Sequence, residues 1–230
     1  MTNNFPYKVL DLTHKIDNDT KSWHGSCGFT QNTTVEYDDC TTDVKFRIQE
    51  INMHAGVGTH IDAPGHIIRG GAMVGDFELE SLVRPCIRID ASNGVNANSQ
   101  LSADDILVFE KEYGKVQDGS FFLVCTSWDR HWSDPEKYQN KLQFPSVTED
   151  AALLLLERNI AGLGIDTMSP DCPASGYPVH KHLLGAGKYI VENITNAKSL
   201  PPVGSFSMSL PINGRNLTEA PVRLVGLIKH

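Results

Sequence analysis

The stretch INMHAGVGTHIDAPGHIIRGG, residues 51–71, decides how the rest of the chain is read. It carries three of the nine histidines, His54, His60 and His66, together with Asp62. Imidazole nitrogen and carboxylate oxygen are ligands for zinc and for harder divalent metals. His60 and Asp62 are two residues apart, so on an extended segment both side chains leave the same face. Gly58 and Pro64 suit a backbone that turns closely around something. The pattern predicts half of a metal site, with His66 just beyond the turn. A lone histidine is more often a core or surface residue than a ligand. That plain reading weighs most on His54, which has no partner at ligand spacing.

Outward from this stretch, composition narrows the possibilities. The chain has 230 residues, 40% hydrophobic and 21% charged, as expected of one globular domain spanning 1–230. A net charge of −8 argues against a nucleic-acid partner, which calls for a basic face. The longest apolar run, Ala151–Leu156, falls far short of the ~20 residues of a membrane span. The start, MTNNFPYKV, lacks the basic and apolar regions of a secretion signal. Five cysteines without C-x-x-C spacing predict free thiols and a cytoplasmic setting.

Along the chain, residues 7–16 read as a strand, and 17–43 as a long loop or loose hairpin carrying Trp23 and Phe29. Alternation of Val44, Phe46 and Ile48 predicts a strand over 44–53, with a bulge near Glu50 because Ile51 and Met53 change parity. Strands are predicted over 82–91, 120–126, 160–166, 188–191, 204–212 and 222–228. Helices are predicted over 101–113, capped by Ser102, and 148–158, capped by Thr148 or Ser146. A short helix is expected over 179–184, and a polar loop over 127–144. The strand, helix, strand order from 120 to 166 predicts a right-handed crossover between parallel strands. The fold class is therefore α/β or mixed α+β, with a mixed sheet or open barrel flanked by helices.

The central motif resembles the signature of the cyclase-like metal-dependent hydrolases, which include bacterial kynurenine formamidases and isatin hydrolases. Their pattern is His-x-Gly-Thr-His-x-Asp-x-Pro-x-His, and Gly58, Thr59, His60, Asp62, Pro64 and His66 match it in order and spacing. Asp11-Leu12-Thr13, Trp23-His24-Gly25, Gly164-Ile165-Asp166-Thr167, and His180 with Glu192 twelve residues on extend the match. The resemblance implies a β/β/α fold, with one or two divalent ions, Zn or Mn, held by His60, Asp62, His180 and Glu192. It implies His66 as general acid/base, Trp23 against the substrate, and a homodimer or homotetramer. The implied activity is hydrolysis of a small amide, cyclic amide or lactone by a metal-activated water. N-formylkynurenine is the named candidate, and an isatin-type or lactone ring the alternative.

One position departs from the pattern. Gly56 stands where the signature has its first histidine. Three outcomes are open: His54 swings in, water or substrate fills the gap, or a single metal binds firmly. The departure also keeps a reading of another class open, an inactive metal- or ligand-binding relative.

Overall fold

The computed structural model describes residues 5–20 and 22–230; the reading of the N-terminus rests partly on residues 1–4, outside that range. Strand β1 (Tyr7–Asp11) is followed by a hairpin of β2 (Phe29–Val35) and β3 (Ile48–Met53), then by β4 (His60–Asp62). Helix α1 (Leu79–Leu82) runs into β5 (Val83–Asp90), followed by β6 (Gln100–Leu101), α2 (Ala103–Tyr113) and β7 (Phe121–Cys125). Then come α3 (Pro135–Gln139), β8 (Ser146–Val147), α4 (Glu149–Glu157), β9 (Gly162–Ile165) and α5 (Pro178–Gly185). The chain ends with β10 (Tyr189–Glu192), β11 (Ser205–Pro211) and β12 (Glu219–Lys229).

The main sheet runs β1-β12-β11-β5-β7-β9-β10-β4, and β4 also pairs with β12. That last pairing closes seven strands into a barrel, where the sequence allowed an open one, and leaves β1 as an extra strand. β12 does double duty along one edge. Its residues 219–221 pair with β4 and residues 225–229 with β1. The predicted crossover is present, since β7 and β9 are parallel and α4 lies between them in the chain.

Alternation along each strand sorts side chains between two cores. β7 is buried throughout, which is why FFLVC reads as one apolar run. Phe121, Leu123 and Cys125 face the barrel interior with Ile61, Tyr189 and Val191. Phe122 and Val124 face outward, into a core with Leu155 of α4 and Leu183 of α5. Gly162 and Gly164 make room for the large rings inside. A β-carbon at Gly162 would run into the Tyr189 ring, and one at Gly164 into Phe121. Those two rings stack with centroids 5.9 Å apart.

Two predicted elements are corrected. Residues 44–47 are not strand, because no strand among the described residues pairs with them. Instead Cys40 Sγ accepts the Phe46 N–H and the Lys45 ammonium donates to Cys40 O, tying a turn. The irregularity expected near Glu50 lies on the partner strand, between Thr33 and Val35. The loop over 127–144 contains a 3-10 turn, Trp128–His131, and α3. Asp134 accepts from Lys137 N and Pro135 sits at the first helical position, a start signal hidden among polar residues. Among the described residues, no helix is long and apolar enough to cross a membrane.

After β1 the chain passes His14, whose ring stacks on Trp132 at 3.9 Å and meets Tyr138 edge-on. Its buried Nε2 has no hydrogen-bond partner. Burial pulls this imidazole down to about 4, against the pull of Asp129. The unfolded chain takes up that proton near pH 6.5 and the folded chain resists it to about 4, so stability falls as pH drops through that window. Between pH 7 and 4.5 the protein should lose about 2 kcal/mol more stability than a His14→Phe variant, read from urea unfolding. Equal losses in the two proteins would disprove the assignment.

Candidate metal centre

The site grows out of strand register. On β4, Ile61 points into the barrel, so His60 and Asp62 emerge on the outer side. β10 is antiparallel to β4 and sets Glu192 directly opposite His60. β12, on the other edge, sets Glu219 directly opposite Asp62. Directly opposed residues share a face, so all four side chains leave the same side. His180 comes down onto them from α5.

The ligand atoms converge. His60 Nε2 lies 3.5 Å from Asp62 Oδ1 and 3.4 Å from Glu192 Oε2. His180 Nε2 lies 3.6 Å from Asp62 Oδ2 and 3.5 Å from Glu192 Oε1. These gaps are long for hydrogen bonds. They match co-ligands, since two atoms about 2.1 Å from one tetrahedral cation sit roughly 3.4 Å apart. Asp62 Oδ1 and Glu192 Oε1 are buried without a hydrogen-bond partner, although both residues are almost fully enclosed.

The far side of each imidazole fixes its tautomer. Gly58 O can only accept, so His60 Nδ1, 2.9 Å away, carries the proton. Asp171 Oδ2 does the same for His180 Nδ1 at 2.8 Å. Both Nε2 lone pairs therefore face the carboxylates, which is the orientation a cation requires. Burial lowers the His60 imidazole, but Asp62 and Glu192 outweigh it and lift it to about 10. His180 is likewise raised well above its usual value, burial being overcome by Asp171, Asp62 and Glu192. Glu192 is pulled down, burial being outweighed by His180 and His60. The donor set fits a divalent cation, with His60, Asp62, His180 and Glu192 as the groups that would hold it.

Local structure explains these positions. Gly58 has φ +64°, and a β-carbon there would also strike Ile16. Thr59 Oγ1 donates to Asn193 O and accepts from His14 N, and Asn193 Nδ2 donates to Gly58 O. Asp171, fully buried, accepts from the Val179 and His180 N–H groups at the start of α5 and also holds the His180 ring. The helix terminus and the ligand are thus fixed by one carboxylate.

The other predicted residues fall around a cavity of about 460 Å³ that opens onto the site. His66 follows the turn at Pro64, with Nδ1 3.3 Å from Glu219 Oε2. The Glu219 contact raises its affinity for a proton, with burial opposing. Trp23 lines the cavity, its ring edge-on to Phe144. Ile67, Met168 and Tyr177 add apolar wall. His54 is exposed at the cavity rim and is not among the converging ligand residues. His182 turns away to Glu149 at 2.7 Å. Asp171, Asn193 and Glu219 escaped the sequence reading. Glu219 was missed because β12 starts three residues earlier than its apolar pattern suggests.

Comparison with known proteins identifies the family. The family described as "Putative cyclase" matches residues 10–172, and the chain belongs to that family. An isatin hydrolase of Roseibium aggregatum is 28% identical over 186 residues, covering 74% of this chain and 71% of that protein. A kynurenine formamidase of Bacillus mycoides is 25% identical over 218 residues, covering 94% and 95%. The solved structure of isatin hydrolase A from Labrenzia aggregata, bound to benzyl benzoate, superposes with a TM-score of 0.86 at 27% identity, covering 98% of this chain and 95% of that one.

The Asp171 carboxylate behind His180 gives a direct test of the cation reading. Asp171→Asn should weaken zinc binding by roughly 10–100-fold, measured by competition with a chromophoric chelator. Unchanged affinity would mean that His180 is not a ligand.

Proposed function

We propose that this chain is a metal-dependent hydrolase of a small amide, cyclic amide or lactone. The observation that carries the reading is the meeting of two imidazole Nε2 atoms with two carboxylates, each with an orphaned oxygen, at co-ligand spacing, beside His66 and an apolar cavity. A divalent cation held there, Zn or Mn, one or two ions, would supply an ionised water near neutral pH and polarise a carbonyl. The protein's own residues do the rest. Trp23, Met168 and Tyr177 offer a flat apolar body somewhere to lie. His66, exposed at the mouth and held by Glu219, delivers a proton to the departing nitrogen or oxygen.

An aryl formamide such as N-formylkynurenine and an isatin-type ring both suit this chemistry. Each puts a carbonyl next to an aromatic plane, and relatives of this chain are named isatin hydrolase and kynurenine formamidase. The kynurenine formamidase and the solved isatin hydrolase each cover nearly the whole chain, at 25% and 27% identity, so coverage does not separate the two substrates. The protein should hydrolyse at least one member of a panel of formanilides, isatins and aryl lactones, and lose that activity on chelation. His66→Ala should reduce kcat by about 10²–10⁴-fold while the metal content stays. Full metal occupancy with no turnover across the panel would make the chain a binding protein instead.

Assembly into a homodimer or homotetramer fits the β2–β3 hairpin. It buries few of its own side chains and exposes Phe46, Ile48 and Ile51, each more than half. β3 runs directly into His54 at the cavity rim, so a partner on the hairpin would lie beside the substrate. Light scattering should give a mass of at least two chains, and Ile51→Asp should lower it; a wild-type monomer at micromolar concentration would overturn the idea. All five cysteines are free, which supports the reducing cytoplasm as the compartment.

A further inference from the structure

The space beside Gly56 is not empty. A β-carbon built on Gly56 would overlap Glu219 Oε1, and it would lie 3.3 Å from His60 Nε2. Glu219 has come from a different strand to fill the position that a side chain at 56 would occupy. None of the three outcomes considered for Gly56 from sequence describes this arrangement.

Three observations give that carboxylate a task. First, His60, Asp62 and Glu219 offer ligand atoms that all lie within 4.8 Å of one another, as do Asp62, His180 and Glu192. Asp62 belongs to both groups. Second, Glu219 and Asp62 are directly opposed across β12 and β4. Like charges at directly opposed positions repel and destabilise the pairing. Third, Asp62 Oδ1 is buried without a partner, on a residue only 1% exposed. A positive charge between the two carboxylates removes the repulsion and satisfies the orphaned oxygen together.

We propose that Glu219 is a cation ligand, so that His60, Asp62 and Glu219 form a second site sharing Asp62 with the site of Asp62, His180 and Glu192. This rests on the cation reading of the centre given above. The donor comes from the first residue of β12 and not from position 56, and it is a carboxylate where the signature has an imidazole. The pair of sites therefore carries one more negative charge than a histidine at 56 would give, which favours harder, oxygen-preferring ions such as Mn. Glu219 has two oxygens to divide. Oε2 reaches His66, 3.3 Å away, while Oε1 lies on the side of Gly56 and His60. A carboxylate serving His66 alone would leave metal binding untouched.

The test uses the full chain, freed of metal by chelation and titrated with Mn(II) alone. Bound Mn is counted by mass spectrometry and the spin state read by electron paramagnetic resonance. The expected result is two Mn per chain with an exchange-coupled spectrum. Glu219→Gln should weaken one of the two by at least ~100-fold, more than the loss of an outer-shell group, and restore an uncoupled signal. Gly56→Ala should do the same by displacing the carboxylate. Its backbone is not in the left-handed region, so the extra methyl is tolerated by the chain itself. The two substitutions together should cost little more than either alone, since both remove one interaction. His66→Ala should keep both ions. If Glu219→Gln fails to fold, Gly56→Ala still decides. Two tight, coupled Mn ions in both single variants would overturn the proposal, as would a single Mn in the wild type. No Mn at all in the wild type would overturn it and the cation reading with it.

Discussion

The site in this structure is organised around two buried carboxylates on neighbouring strands. Asp62 and Glu192 are each almost fully enclosed, and each keeps an oxygen with no hydrogen bond. Uncompensated, such charges cost several kcal/mol apiece. The surrounding protein does not supply the missing donors. It turns two imidazole lone pairs toward the same point, by tying each Nδ1 proton to a fixed acceptor behind it. The two carboxylates and two imidazoles are held at this spacing by the fold, and positive charge at their centre would complete them.

The barrel is what makes such a group possible. β4 is three residues long and has neighbours on both edges. Its middle residue, Ile61, anchors it in the barrel interior, while the two flanking residues carry the chemistry outward. The same alternation runs through β10, where Val191 is inside and Glu192 outside. The interior is packed with rings against glycines, so β4 and β10 cannot slide by one residue without moving Ile61 and Val191 out of it. Rigidity at the site is thus a property of the apolar core on the far side of the strands.

Much of this was legible in the chain. His60 and Asp62 could be paired because strand spacing puts them on one face, and His180 with Glu192 because of a resemblance in spacing. The helices at 103–113 and 149–157 showed themselves through Ser102 and Thr148, which cap them as the sequence suggests. What stayed hidden were relations between strands. Nothing local says that Glu219 lies opposite Asp62, since register is settled by closure of the barrel. Asp171 was invisible for a similar reason, its partner lying nine residues on around a turn. Residues 44–47 misled in the other direction: their alternation is real, but among the described residues the pairing of this segment begins only at Ile48.

The parts that hold charge and the parts that shape the cavity come from different places. Ligands are carried by β4, β10 and the start of α5, all anchored in the two cores. The walls come from Trp23 in the segment before β2, Ile67 after the turn, and Tyr177 just ahead of α5. Insertions or exchanges in those connecting segments can therefore remodel what is admitted without disturbing what is done to it. A lineage built on this scaffold is free to change diet while keeping its reagent.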